Sequence, residues 1–284
     1  MKLSVALCTY NGSRFLEKQL NSILEQTIAV DEIIICDDNS SDETIKIINS
    51  YKNNYPELIS LFQNSQNLGT IKNFERAISL TTGDLIFLSD QDDIWYPKKV
   101  EINCQFFEKN QNCILVFSNG DLIDDNERFI NETLWDKWKF DDQTKSIWNN
   151  NTLAFNSLIK GDNKITGATV CFKKSLKNTI FPIELPLGYW HDSWLGTNAA
   201  AQQGLFFIEK SLIKYRLHID QQVGISNVGL EKIILNANKK FIDKQKYFLK
   251  LRIMYPHLKK YIPYQMKKNG FKIVLLKVKR YFNL

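Results

Sequence analysis

Three carboxylates, Asp90, Asp92 and Asp93, fall within four residues directly after an apolar run that begins at Leu85 and ends in Leu88-Ser89. Acids crowded at the carboxyl end of a buried strand destabilise the fold unless a cation or ligand uses them. Asp90 and Asp92, one residue apart, can turn their oxygens to one side, and hard oxygen ligands suit Mg²⁺ or Mn²⁺. Ions of this kind take few protein ligands and complete their shell from substrate phosphates, so a sparse site implies a phosphorylated partner. The bland alternative is that the acids only cap a helix beginning near Pro97, which is role enough for Asp93. A helix-loop-helix calcium site is excluded, because its third carboxylate position falls on Ile94 and its glycine on Trp95.

Two more apolar runs deliver polar groups in the same way. Leu3 to Cys8 leads into Thr9-Tyr10-Asn11-Gly12, and Ile33 to Cys36 leads into Asp37-Asp38-Asn39-Ser40. Such runs alternate with helical periodicity as far as Ser118, the mark of parallel strands joined by helical crossovers. The expected strands are Leu3 to Cys8, Glu32 to Cys36, Ile59 to Gln63, Leu85 to Ser89 and Ile114 to Ser118. Core-facing helical stripes lie between them: Leu16, Leu20, Ile23 and Leu24, then Ile71, Phe74, Ala77 and Ile78, then Val100, Cys104 and Phe107. Ser40-Ser41-Asp42-Glu43 reads as a capping box that opens a helix. After Asn119 the pattern turns irregular and aromatic, with Trp135, Trp138, Trp148 and Phe155, and reads as a variable substrate-facing region of short strands. A strand from Ala168 to Phe172, a helix from about Asp192, and two strands, Leu205 to Ile208 and Leu212 to Arg216, are expected beyond it.

Composition bounds the function classes. At 284 residues, with 44% hydrophobic and 24% charged side chains, the sequence suits one elaborated domain with an appendage. The net charge of +6 hides an asymmetry: from Gly229 onward, 15 Lys or Arg face only Glu231 and Asp243. The preceding residues are therefore acidic overall, which argues against nucleic acid as a partner there. Five cysteines, with no Cys-x-x-Cys spacing, lie mostly in apolar runs and fit a reducing compartment. With neither a secretory signal nor a membrane-spanning run, the reading is cytoplasmic, with any membrane contact peripheral on the inner face of the cell membrane.

The motifs Val5-Ala6-Leu7-Cys8-Thr9-Tyr10-Asn11-Gly12, Ile35-Cys36-Asp37-Asp38-Asn39-Ser40-Ser41-Asp42, Asn67-Leu68-Gly69, Ser89-Asp90-Gln91-Asp92-Asp93-Ile94-Trp95, Gly188-Tyr189-Trp190-His191-Asp192 and Tyr215-Arg216-Leu217-His218 stand in register over residues 3 to 225. Together they resemble family 2 glycosyltransferases of the GT-A fold, in the rhamnosyltransferase-like branch. The resemblance implies an α/β fold with a mostly parallel, Rossmann-like sheet flanked by helices, as a catalytic domain over residues 1–228, followed by a basic helical C-terminal extension over 229–284. It also implies a divalent-metal-dependent enzyme that inverts the anomeric centre while moving a sugar from a nucleoside-diphosphate donor, dTDP-rhamnose or a UDP-sugar. The implied acceptor is a glycan or lipid-linked glycan of the bacterial surface, a polysaccharide or lipopolysaccharide.

Carried over residue by residue, the resemblance gives Thr9, Tyr10, Asn11, Asp37, Asp38, Asp90 and Gln91 to the nucleotide sugar, with Asp38 on the base and Asp37 supporting its turn. Asp92 binds the metal, His218 is a candidate second ligand, and Asp192 is the general base. Thr166, Gly167, Trp190 and His191 border the acceptor. Plainer readings stand beside these: Asp192 suits a helix cap, His191 a packing neighbour, and Gly167 a turn. The basic tail reads either as an amphipathic helix on an anionic membrane or as a helical appendage with a solvated lysine face. A dinucleotide-binding oxidoreductase shares the alternating pattern but is disfavoured by the first turn, which lacks the Gly-x-Gly-x-x-Gly loop that seats a pyrophosphate. A non-catalytic carbohydrate- or nucleotide-binding protein that keeps the GT-A fold is the alternative.

Overall fold

The computed structural model describes residues 1–218 and 237–263, the latter with side chains from residue 243 onward. These residues form two compact units, 1–183 with 190–218, and 184–189 with 237–263. The boundary expected between residues 228 and 229, and the tail beyond residue 263, lie outside the described residues.

In the first unit β1 (Leu3–Thr9), α1 (Leu16–Leu24), β2 (Glu32–Asp37), α2 (Thr44–Asn54), β3 (Ile59–Gln63), α3 (Thr70–Leu80) and β4 (Leu85–Ser89) alternate as expected. The strands lie in the order β3-β2-β1-β4, all parallel. Every residue of β1 and β4 is buried, which is why these segments are continuously apolar rather than alternating. Strand order reverses between β1 and β4, so a crevice opens at their carboxyl ends. Leu16, Leu20 and Ile23 of α1 and Phe74, Ala77 and Ile78 of α3 are buried on the sheet. Each large aliphatic or aromatic side chain among them contributes about 1.5–3 kcal/mol. The inner face of α1 also carries polar fasteners: Gln19 Nε2 donates to Ser89 Oγ (2.6 Å), and Ser22 Oγ accepts from Trp95 N (3.0 Å). Both hold the segment that follows β4.

Beyond β4 the sheet is mixed. β5 (Ile94–Trp95), α4 (Lys99–Lys109), β6 (Leu115–Ile123), β7 (Phe129–Thr133), β8 (Cys171–Lys173) and β9 (Leu205–Arg216) extend the order to β4-β8-β6-β9-β5, with β7 paired to β6. β8 runs antiparallel to both β4 and β6, whereas β6 and β9 are parallel.

Several expectations are corrected. The region after Asn119 is not a set of short strands: past the β6–β7 hairpin it forms α5 (Leu134–Trp138), α6 (Asp142–Trp148) and α7 (Asn151–Lys160). Its aromatics face the core, with Trp135, Trp148 and Phe155 buried. Trp148 packs on Phe140 and Phe117 at 5.5 and 5.9 Å between ring centroids, and Phe140 packs on Phe207 at 5.2 Å. Apolar residues at helical spacing were obscured there by interspersed Asn, Asp and Lys. The two strands expected between Leu205 and Arg216 are one, β9, whose register against β6 shifts around Asn119 instead of breaking. Residues 167–169 form a 3₁₀ turn, so the strand begins only at Cys171. The capping box does not form: Ser40 Oγ donates to Asp37 Oδ2 (2.5 Å), and Glu43 pairs with Lys46. The acids after β4 do not cap α4 either, since Lys98 is its N-cap residue and no side chain bonds there.

α8 (Lys177–Ile180) and α9 (His191–Ala201) complete the first unit. In the second, α10 (Ala237–Met254) stops before Pro256, where a 3₁₀ turn runs through Tyr261. Tyr247, Phe248 and Leu251 of α10 are buried, and Tyr189 packs against Tyr247 in a tilted pair with ring centroids 5.2 Å apart. Among the described residues no helix is long and apolar enough to cross a membrane.

Because Trp148 is a core residue, Trp148→Ala will lower stability by about 3–5 kcal/mol in denaturant unfolding. A substrate-facing Trp148 would leave stability unchanged.

Candidate active site

A cavity of about 370 Å³ opens at the carboxyl ends of β1, β2 and β4. Of the residues singled out in the sequence, Thr9, Tyr10, Asn11, Asp38, Asp90, Gln91, Asp92 and His218 line it. Three turns are laced together around it. The Gln91 amide clamps the β1 turn, accepting from Tyr10 N (2.8 Å) and donating to Tyr10 O (3.0 Å). Gly12 leaves room for that amide, because a Cβ at this position would land inside it. Asn11, in the left-handed region at φ 48°, gives its N–H to Ser40 Oγ (2.9 Å) and accepts from Ser41 N (2.8 Å). Ser40 is thereby recruited to the site instead of to a helix cap.

Asp37 lies behind the cavity wall, fully buried, where its carboxylate accepts from Thr9 Oγ1 (2.8 Å), Ser40 N (2.9 Å) and Ser40 Oγ. Asp38 accepts from Asn64 Nδ2 (2.7 Å), Leu68 N (2.7 Å) and Gly69 N (2.8 Å). These bonds tie the Asn67-Leu68-Gly69 turn to the end of β2 and lead into Thr70, which lines the cavity, with Gly69 at φ 82°, a conformation that favours glycine.

The acid cluster is held by bases drawn from distant parts of the chain. His218 Nε2 lies 2.9 Å from Asp92 Oδ2. Arg216, fully buried, donates from Nε to Asp92 O (2.8 Å) and from Nη1 to Asp124 O (3.2 Å), while its backbone N–H donates to Asp93 Oδ1 (3.1 Å). Lys99 is also fully buried, donates to Ala168 O (2.6 Å) and lies 3.8 Å from the Trp95 ring centre. Burial pushes its pKa down to about 7, against the pull of the Asp93 charge. Burial, then the charges of Asp92 and Asp192, raise Asp90 to about 7. Asp93 is likewise raised well above the usual carboxylate range by burial and then by the charges of Asp92 and Asp90. Phe15 supports the basic side, with Arg216 stacked at 4.4 Å and the His218 ring at 5.0 Å.

A second group surrounds Asp192. Its Oδ1 accepts from Ser193 N (2.5 Å) and Asn163 Nδ2 (3.2 Å), and burial raises its pKa to about 7. The residue is the second of α9 rather than its cap. Gly167 is adjacent: a Cβ there would lie 2.8 Å from His191 Nε2 and 3.9 Å from Asp192 Cβ. His191 stacks on Phe74 at 4.1 Å, is held neutral by burial with a pKa near 3, and has no hydrogen-bond partner at either ring nitrogen among the described residues. Thr166 Oγ1 accepts from Trp138 Nε1 (3.0 Å), and Trp190 is partly exposed. The Asp192 charge contributes to the rise of Asp90, but Thr166, Gly167, Trp190, His191 and Asp192 do not line the cavity.

Sequence reasoning gave no role to Lys99, Arg216, Asn163 or Phe15. Arg216 stood inside a quoted motif, which was the available signal. Lys99 looks like any lysine at a helix start, and nothing marked Asn163. No group of three or more His, Cys, Asp or Glu side chains that could hold a metal ion occurs among the described residues. Asp92 and His218 are the pair that could hold a cation in this cavity, and two protein ligands would suit an ion that completes its shell from other oxygens.

The Shigella flexneri protein "dTDP-rhamnosyl transferase RfbG" is 41% identical over 113 residues, 38% of this chain and 39% of that one. The solved structure of S. aureus TarS 1-349 in complex with UDP-GlcNAc superposes with a TM-score of 0.63 at 16% identity, over 99% of this chain and 78% of the other. The mannosyltransferase PcManGT from Pyrobaculum calidifontis, solved with GDP-Man and Mn²⁺, gives 0.56 at 15% identity, covering 98% of this chain and 69% of that one. These likenesses identify the fold as GT-A. The chain spans 65%, 44% and 39% of the length of three curated relatives it matches. The family pattern described as Glycosyl transferase family 2 matches residues 4–178, more than half of the sequence, and the chain belongs to that family.

Proposed function

We propose that the chain is a metal-dependent, inverting glycosyltransferase that moves a sugar from a nucleoside-diphosphate donor, of the dTDP-rhamnose or UDP-sugar kind, to a hydroxyl of a growing bacterial surface glycan. The observation that carries this reading is the Asp90–Asp92 pair lining the cavity, with the Asp192 carboxylate, whose charge helps raise Asp90, beside Gly167 at the head of α9. The names of the relatives, one a dTDP-rhamnosyl transferase and one solved with UDP-GlcNAc, support the donor class. The acceptor class rests on the family resemblance, and a nucleotide-sugar donor supports a cytoplasmic site of action.

Asp92 and His218 are the residues that would hold the cation, and the crowding of acids around them fits a doubly charged ion. When bound, such an ion supplies Lewis-acid neutralisation of the leaving diphosphate. The chain's own residues do the rest. The β1 and β2 turns form the nucleotide side of the pocket, and Asp38 ties the Leu68–Gly69 turn to the end of β2. Asp192 takes the proton of the acceptor hydroxyl, which is too weak an acid to ionise at neutral pH unaided. Asn163 and Ser193 N fix the orientation of its carboxylate. One base, and among the described residues no second carboxylate placed as a covalent nucleophile, support direct displacement with inversion.

Asp192→Asn will lower kcat by about 10²–10⁴-fold while nucleotide affinity is retained. A binding protein without activity would show no turnover in either form. Asp192 works only when ionised, so kcat rises with pH through about 7. Stability moves the other way. A carboxyl raised from about 4 to about 7 binds its proton more tightly in the native state, so its contribution is full below pH ~4 and lost as pH approaches 7. Asp192→Asn will flatten this slope in pH-dependent thermal unfolding. A panel of nucleoside diphosphates with MnCl₂ will raise the melting temperature, and EDTA or Asp92→Asn will abolish the rise. A shift that survives EDTA removes the metal from the proposal.

A further inference from the structure

The cavity poses a charge problem for the donor proposed above. Asp38, Asp90 and Asp92 line it, and a diphosphate brings further negative charge. A divalent ion offsets only part of that total. Asp38 is satisfied by three donors of its own, and His218 is engaged with Asp92. Among the described residues lining the cavity, Arg14 alone carries a permanent positive charge.

Arg14 is also built to present that charge. Its Nη2 lies 2.7 Å from Asp125 Oδ2, on the turn between β6 and β7, and its guanidinium stands 4.7 Å from the Phe15 ring centre. Asp125 thus pins one edge of the fork and Phe15 backs its face. No other acceptor among the described residues takes the remaining N–H groups, and 55% of the side chain is exposed. The turn bearing Asp125 is itself anchored, because Arg216 donates to Asp124 O and Asp125 O (3.2 and 3.3 Å) and Lys18 pairs with Glu127. A planar fork held at one edge, with donors left over, matches the bidentate geometry of phosphate oxygens.

We infer that Arg14 binds the diphosphate of the donor directly and that Asp125 is the positioning residue that aims it. This rests on the donor class proposed above and adds a phosphate ligand from the β1–α1 turn, independent of the metal ligands. Binding follows the phosphates, not the nucleoside: the Arg14 fork reads two oxygens through paired N–H donors.

The test is calorimetric titration of UDP, dTDP and GDP with MnCl₂, and of the matching nucleosides, into wild type, Arg14→Gln, Arg14→Lys, Asp125→Asn and the double variant. For the diphosphate that wild type binds, Arg14→Gln will weaken affinity about ten- to hundredfold, the loss of a charged hydrogen-bond pair. Arg14→Lys will recover part of that loss, and nucleoside affinity will not change. Asp125→Asn will cost a few-fold alone and nothing further on top of Arg14→Gln. Unaltered melting temperatures will show that each variant folds, as the exposure of Arg14 leads us to expect. Wild-type diphosphate affinity in Arg14→Gln overturns the inference, as does an equal loss of nucleoside, or a further loss from Asp125→Asn in the double variant. If Asp92→Asn still weakens the diphosphate in that case, the proposed function stands without Arg14. If wild type binds none of the diphosphates, the proposed function falls and this inference falls with it.

Discussion

Burial of carboxylates at the end of β4, sharpened by their mutual repulsion, is the constraint around which the first unit is organised. Asp90, Asp92 and Asp93 cannot all keep their charge in a half-buried site without compensation, and the upward shifts of Asp90 and Asp93 come first from burial and then from the neighbouring carboxylates. The compensating groups come from far away in sequence: Lys99 from the start of α4, and Arg216 and His218 from the end of β9. A cluster that needs such bracing for stability alone would be replaced by apolar residues at little cost. Its presence at an otherwise apolar strand end is what the proposed cation and phosphorylated donor would account for.

The sheet topology delivers these parts to one place. β1 lies between β2 and β4, so the three polar turns that follow them open into the same crevice. β5 pairs with β9, and that pairing brings Arg216 and His218 back across the sheet to the acids. Small groups make the close approaches: Gly12 beneath the Gln91 amide and Gly167 against His191. The turns are fastened chiefly by side chain to backbone bonds, which position groups without long flexible arms.

The parallel half of the fold and the polar strand ends were legible in the sequence because both rest on local pattern. Continuous apolar runs of five or six residues announce buried strands, and helical stripes announce the crossovers. What escaped was decided by tertiary contacts. Ser40 satisfies every local rule for a helix cap, yet the buried Asp37 and the Asn11 backbone outbid the helix terminus for its hydroxyl. The aromatic stretch after Asn119 looked substrate-facing since its helices are short and rich in Asn and Asp, and only the packing around Phe117 and Phe140 makes it core. Asn163 and Lys99 carry no local signature, and their importance comes from what the fold places beside them. Arg216 was visible as a motif member, but its buried position under Asp92 was not.

Anomalous diffraction from crystals grown with MnCl₂ and a nucleoside diphosphate tests the role of the acid cluster most directly. A single strong manganese peak within coordination distance of Asp92, touching the diphosphate, is the expected result. A nucleotide seated in the cavity with no manganese at Asp92, or manganese bound away from the β4 end, would contradict it.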